Sequence, residues 1–370
     1  MQRLILVGGG HAHVVALSVM AGRVPRGLEI VLVNPSSHHL YSGMLPGFLV
    51  GNYTASQCRI DLQALLQAAG AELVRARVTA IDADARCVRL DNGRTLPYDW
   101  LSLDMGSETP QAGLEPLGPR VFSVKPVAAF FDLWPTALAQ AQQATSFSLS
   151  VLGAGAAGVE IAFAAAHSLR RVCPNVRVQL LSSESGLLPG HAPSAQDRIA
   201  TLLKTHNIDL LTFSRDAAAL RADFVLLATG AKAPALLRES KLGLDEAGYV
   251  LVDSTHRSRS HDNVFAAGDV CSRDDVPMAR SGVHAVRSGA VLGANLIAVA
   301  KGTLCKTYQP RVASLYLLAY APRRAMASWG RLSVSGWLMW QLKDWIDRRF
   351  VEGHSRFVMR RAQTNGWLTR

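Results

Sequence analysis

The chain has no paired cysteines. Cys58, Cys87, Cys173, Cys271 and Cys305 show neither C-x-x-C nor C-x4-C spacing, which argues against a metal knuckle and a local redox dithiol. An odd, scattered set suits a reducing compartment such as the cytoplasm, where most thiols act as small buried hydrophobes. Long apolar runs are missing too. The longest, Val312–Ala321, is about half of the roughly 20 residues a spanning helix needs, so no helical span is expected. Nor does a basic segment with an apolar core and cleavage site precede the first apolar run, Leu4–Val7, which reads as unexported. Acidic residues are scarce in one place only. Residues 301–370 hold 13 Lys and Arg against 3 acids, whereas the first 300 hold 26 against 25. The net charge of +11 is therefore a property of the C-terminal tail, which also carries five of the seven tryptophans. No nucleic-acid-binding motif accompanies that charge, and nucleic acid is not expected as a partner.

With 370 residues, 49% of them apolar and 18% charged, the chain can bury the cores of two domains or slightly more. The order of elements is alternating. An apolar strand Leu4–Val7, a turn Gly8–Gly10, a helix Ala12–Ala21 and a strand Glu29–Val33 make one βαβ unit, the building block of a parallel sheet. A second copy runs from Ser148–Leu152 through Gly153–Gly158 and a helix reaching Arg171 to Val176–Leu181, its first glycine 145 residues after Gly8. Between them Glu72–Asp82 and Cys87–Leu90 read as strands, with a hairpin turn at Asp91-Asn92-Gly93. Pro110–Pro119 reads as a crossing linker, and a second crossing falls near Ala231–Gly248.

Three motifs carry chemistry. In a dinucleotide fold the first glycine makes the tight turn and the second lets the backbone approach the pyrophosphate. The third admits close helix packing, with the phosphates at the helix N-terminus. In Gly8-Gly9-Gly10-His11-Ala12-His13 the third place is held by His13, and the strand-end acid is replaced by Asn34. A structural glycine turn is the alternative reading. Gly153-Ala154-Gly155-Ala156-Ala157-Gly158 has all three glycines, with Ser182 and Ser183 at the strand end and Glu184 slightly late. That pattern does not separate NADH from NADPH. The third motif is Val264–Ala266 ending in Gly268-Asp269, followed by a Gly- and Ala-rich helix over Ser281–Ala298. A flavin ribityl chain needs an aspartate to accept its hydroxyl hydrogen bond. A helix N-terminus would also face the ring edge where negative charge develops.

With these motifs in place, the chain resembles the two-dinucleotide-binding flavoproteins, the pyridine nucleotide-disulfide oxidoreductase superfamily, over almost its whole length. It is most similar to the branch of type II NADH dehydrogenases and sulfide:quinone oxidoreductases. The resemblance rests on Gly8–Gly10, the segment His38–Gly47, Tyr98-Asp99, Ala228-Thr229-Gly230 and Gly268-Asp269. Leu103-Asp104-Met105-Gly106-Ser107 stands where the superfamily has an Ala-Thr-Gly strand. GGGHAHV, YSGMLPG, GVHAVRSG and KDWIDRRF also resemble the NADH-dehydrogenase-like module fused to selenide, water dikinase, although no dikinase domain is present.

The resemblance implies an α/β protein with two Rossmann-like domains, the first discontinuous, and a short basic C-terminal helical segment. The ranges would be 1–115 and 249–306 for FAD, 116–248 for NAD(P)H, and 307–370 for membrane or dimer contact. FAD would lie on Gly8, Gly9, Gly10, His11 and Ala12, with its adenosine ribose near Asn34, its ring near Tyr41 and Pro46, and its ribityl chain by Gly106, Gly268 and Asp269. NADH or NADPH would lie on Gly153, Gly155, Gly158, Ser182 and Gly230, with Glu160 beside the nicotinamide and Lys125 near the flavin. A solvated linker lysine is the other reading of Lys125, and packing is the simpler one for Cys271. No metal is implied.

Such a protein passes a hydride from nicotinamide to flavin and then to an acceptor, here a quinone. The glutamines that border the quinone in type II dehydrogenases are replaced by Val283 and Arg287. A soluble reductase of a small selenium or sulfur compound is the alternative, and a low-turnover flavin-binding accessory or redox sensor is a third reading. In the tail, Leu338, Leu342, Trp345, Ile346 and Phe350 share a helical face. Residues 330–350 then suit an anionic membrane surface, which would make the protein peripheral on the inner face of the cell membrane. Packing of that face on the protein's own core or on a second copy in a homodimer is the competing reading.

Overall fold

The computed structural model describes residues 1–109, 121–183, 185–213, 222–311 and 314–355. The linker expected at Pro110–Pro119 and the residue Glu184 lie outside them. Two parallel five-stranded sheets carry the architecture. The first has the order Val264–Ala266, Trp100–Leu103, Gln2–Val7, Leu28–Val33, Glu72–Val74. The second has the order Val121–Ser123, Phe224–Leu227, Ser146–Leu152, Asn175–Ser182, Ile208–Thr212. The α/β class with two Rossmann-like sheets is as expected. One strand of the first sheet, Val264–Ala266, follows the whole second sheet in sequence, so the first unit is discontinuous.

Register sets the site. Val7 pairs with both Val33 and Leu103, so Gly8, Asn34 and Asp104 leave the first sheet side by side at its carboxyl edge. Leu152 pairs with Leu181 and Leu227, which places Gly153, Ser182 and Ala228 in the same relation. Parallel sheets present ligand sites at this edge because the loops and helix N-termini gather there.

The expected strand Glu72–Asp82 is divided. Glu72–Val74 joins the first sheet, whereas Val78–Asp82 pairs antiparallel with Cys87–Leu90, which pairs in turn with Thr95–Pro97. The C-terminal segment also departs from a purely helical reading. Leu315–Ala321, Arg324–Trp329 and Leu332–Gly336 form an antiparallel sheet that leads into the helix Trp337–Ser355. The strand Leu315–Ala321 packs on the helix Ala156–Leu169 of the second unit. The helix Trp337–Ser355 packs on the strand Arg59–Asp61 and the helix Leu62–Ala69 of the first. The C-terminal segment thus touches both nucleotide folds.

The helix Gly282–Ala300 is, by length and composition, apolar enough to cross a membrane. His284, Arg287 and Asn295 interrupt its apolar residues, and half of it is buried inside the fold. It lies against the helix His11–Met20, and two glycines permit the contact. A Cβ at Gly289 would sit 2.5 Å from the Ala12 carbonyl oxygen, and one at Gly293 would sit 2.8 Å from the Ala16 Cα.

Gly289→Ala should therefore destabilise by about 1–3 kcal/mol through overpacking, even though alanine is the better helix former by ~1 kcal/mol. Urea unfolding measures this. An unchanged or raised midpoint would show that the helices separate freely.

Candidate functional site

The first glycine turn is held from two sides. Gly8 has φ +87°, and the Gly9 amide donates to Asn34 Oδ1 at 2.9 Å. Asn34 Nδ2 donates to Ser36 O at 2.6 Å, so this side chain latches the turn at the strand end. His13, in the third-glycine place, is fully buried. Its Nδ1 donates to Gly8 O at 2.5 Å and its Nε2 accepts from Ser102 Oγ at 2.8 Å. Burial holds its pKa down to about 4, which keeps the ring neutral in that tautomer. The second turn obeys the rule the first breaks. A Cβ at Gly158 would overlap the Gly153 carbonyl oxygen, whereas one at Gly155 or Gly230 would meet open space. Ser182 Oγ donates to Leu211 O at 3.3 Å.

Lys125, Ser107 and Asp269 come together at the first sheet's edge beside Gly106 and Gly268. Lys125 Nζ lies 2.7 Å from Asp269 Oδ2 and donates to Ser107 Oγ at 3.0 Å. The lysine is thus an ion-pair partner of the ribityl-motif aspartate rather than a free surface cation. His11 opens the first helix, and burial, Lys125 and His354 bring its pKa down to about 4. Cys271 is buried and unpaired, its thiol pushed up to about 12 by burial.

The cluster that sequence reasoning missed centres on Lys343. Glu160, on the second nucleotide helix, has its Oε1 bonded by the Ala319 amide at 2.8 Å and lies 3.8 Å from Lys343 Nζ. Lys343 Nζ also lies 3.1 Å from Asp347 Oδ2 and donates to Gly43 O at 2.9 Å. Asp347 Oδ1 in turn accepts from the Tyr41 hydroxyl at 3.2 Å. Burial raises both carboxyl pKa values and works against charge on the lysine. The two carboxyls more than offset that, so Lys343 keeps its proton. The Lys343–Asp347 spacing of i to i+4 is visible in the sequence, but an exposed surface pair has the same spacing.

Gly43, Pro46, Gly47, Ala164, Trp340 and Lys343 line a narrow cleft beside this cluster. Its walls are mostly small and apolar, and Lys343 forms a charged end. The expected apolar face of the last helix needs correction: Phe350 turns inward onto Tyr41, with ring centroids 4.8 Å apart. Leu338, Trp345 and Ile346 are exposed, while Asp347 and Val351 are buried. Among the described residues, no group of three or more His, Cys, Asp or Glu is placed to hold a metal.

The pattern of the pyridine nucleotide-disulphide oxidoreductase family matches residues 2–289. An NADH dehydrogenase-like protein of Mycobacterium tuberculosis is 28% identical over 335 residues, covering 80% of each chain. A type II NADH:quinone oxidoreductase of Staphylococcus aureus is 19% identical over 344 residues, covering 83% of this chain and 85% of that one. The crystal structure of the sulfide:quinone oxidoreductase of Aquifex aeolicus superposes with a TM-score of 0.79 at 15% identity, over 96% of this chain and 92% of that one.

Removing the buried cation should expose the cost of its partners. Lys343→Met is expected to destabilise by on the order of 3 kcal/mol near neutral pH. The deficit should shrink as pH falls, because carboxyls with raised folded pKa values are costly only while ionised. Urea unfolding at pH 5 and pH 8 would show this. An equal deficit at both would rule out an electrostatic origin.

Proposed function

The chain belongs to the pyridine nucleotide-disulphide oxidoreductase family and is an FAD-dependent NAD(P)H oxidoreductase. From that premise we propose that it delivers electrons to a quinone entering the cleft beside Trp340 from a membrane surface. The observation that carries this reading is the buried Glu160–Lys343–Asp347 cluster at the charged end of an apolar cleft.

The residues present fit both nucleotides. Gly9 and Gly10 let the turn pack tightly on Leu62 and Asp104, where a Cβ would clash, next to the N-terminus of the helix His11–Met20. Gly8, Gly9, Gly10, His11 and Ala12 would hold the FAD pyrophosphate, with Asn34 toward the adenosine. Tyr41 and Pro46 would flank the ring, and Gly106, Gly268 and Asp269 the ribityl chain, with Lys125 fixing Asp269. Gly153, Gly155, Gly158, Ser182 and Gly230 would hold NAD(P)H, with Gly155 opening onto free space. Bound FAD supplies two-electron chemistry between the nicotinamide and the acceptor.

The chain's own contribution is position and charge. Lys343 Nζ reaches the cleft as a cation able to hydrogen-bond a quinone oxygen, and the Glu160 and Asp347 carboxylates hold it there. The exposed face suits a membrane. Trp329, Leu332, Val334, Trp337, Leu338 and Trp345 are each more than half exposed, and the Arg349 guanidinium lies 5.4 Å from the Trp345 ring centroid. Tryptophan with arginine is the composition of an interfacial anchor. On this reading the protein binds peripherally at the inner face of the cell membrane.

Glu160→Gln should keep bound FAD and normal anaerobic reduction by NAD(P)H, while slowing flavin reoxidation by a soluble quinone by roughly 100-fold. Stopped-flow absorbance separates the two half-reactions. A slowed nicotinamide step with normal reoxidation would place Glu160 beside the nicotinamide instead. For the surface, Trp337→Ser with Leu338→Ser should abolish co-flotation with anionic vesicles and leave soluble-quinone activity intact. Unchanged flotation would rule out this face as the anchor.

A further inference from the structure

The two glycine turns share one register, so each serves as a control for the other. Position 104 in the first answers to position 228 in the second, and position 13 to position 158. The second copy holds Ala228 and Gly158; the first holds Asp104 and His13. Asp104 is only 3% exposed. Its Oδ2 accepts from the His13 amide at 2.8 Å, and the Ala12 amide also points at the carboxyl. Oδ2 lies 2.5 Å from where a Cβ of Gly10 would stand, and Oδ1 lies 2.6 Å from where one of Gly268 would stand. The carboxyl therefore fills the space between the pyrophosphate turn and the ribityl motif. Gly10 and Gly268 are needed to make room for it.

A helix N-terminus offers one positive pole. Asp104 takes that pole from inside the fold, and the pyrophosphate would take it from outside. The main influences on the Asp104 charge are burial, Asp269 and the His13 and Ala12 amides, with no lysine or arginine among them. Asp269, the carboxyl that adds repulsion, is itself paired with Lys125. An ionised Asp104 would therefore face the phosphates with only backbone amides to neutralise it, whereas a neutral acid keeps its shape and loses the repulsion.

We propose that Asp104 is a neutral carboxylic acid when FAD is bound, so that flavin binding takes up one proton from solvent at this carboxyl. This rests on FAD lying at Gly8–Gly10. Burial, with Asp269 adding repulsion, already raises the Asp104 pKa well above the usual carboxylate range. The groups facing it do not follow flavin in the neutral range. His13 and His11 are held down to about 4, and the Cys271 thiol is pushed up to about 12. On the helix Gly282–Ala300, His284 Nδ1 is bonded to the Tyr308 hydroxyl at 3.0 Å. Asp104 is then a positioning residue whose charge is linked to flavin occupancy.

The test is FAD retention by the full-length holoprotein, measured by ultrafiltration and flavin absorbance from about pH 6 to pH 9. One linked proton makes the dissociation constant rise up to tenfold per pH unit above the midpoint of the flavin-free carboxyl. Asp104→Asn, which keeps the shape without the charge, should lose that slope and bind FAD more tightly than wild type at the alkaline end. Asp104→Ala, the residue of the second copy, should lose the slope as well. Coloured wild-type protein with no slope, or equal slopes in wild type and variants, overturns the proposal and leaves FAD at this turn standing. Protein that binds no FAD at any pH overturns both.

Discussion

A lysine ammonium taken out of water must find its partners inside the fold, and Lys343 draws them from every part of this chain. Glu160 comes from the second nucleotide helix, Gly43 O from the loop after the first βαβ unit, and Asp347 from the lysine's own helix. Ala319 completes the set by bonding Glu160 from the C-terminal sheet. Desolvation of such a group costs several kcal/mol unless each partner is in place. The C-terminal segment therefore cannot shift relative to either nucleotide fold without leaving a buried charge uncompensated. The same requirement holds the Tyr41–Pro46 loop at the cleft, because Tyr41 donates to Asp347.

The two glycine turns show how one backbone plan accepts different chemistry. In the second turn no side chain fits at position 158, since a Cβ would meet the Gly153 carbonyl oxygen. In the first turn His13 is admitted because its ring nitrogens find Gly8 O and Ser102 Oγ, and its amide finds Asp104. The histidine and the aspartate belong together: one replaces a glycine and the other an alanine, and each satisfies polar atoms that would otherwise be buried without partners.

The last helix buries charge beside Phe350 and Val351 and exposes part of its apolar side. Its charges Lys343 and Asp347 face inward, and Trp337, Leu338 and Trp345 face out. The inward charges have a structural task, since they hold the segment against both nucleotide folds. The neighbouring strands extend the outward apolar face with Trp329, Leu332 and Val334, so it belongs to the C-terminal segment as a whole.

Local patterns were enough to read the architecture. Apolar strands ending in glycine turns at Gly8 and Gly153, and Gly268-Asp269 after a third strand, specify two parallel nucleotide folds through backbone sterics and helix dipoles that act over a few residues. Pairings between distant residues were not legible there. The split of Glu72–Asp82 between two sheets depends on which neighbour each half meets. Glu160 was named from the sequence, but the groups that meet it, Ala319 and Lys343, lie 159 and 183 positions away in the chain. Lys343 and Asp347 have the spacing of an ordinary exposed ion pair, and Asp104 looks like one more polar residue after a strand. The sequence alone therefore determined the two nucleotide folds and the order of their motifs, because those are dictated by local geometry. Only the tertiary structure decided which charges are buried, what neutralises them, and which face of the last helix meets solvent, because burial is set by what packs from elsewhere in the chain.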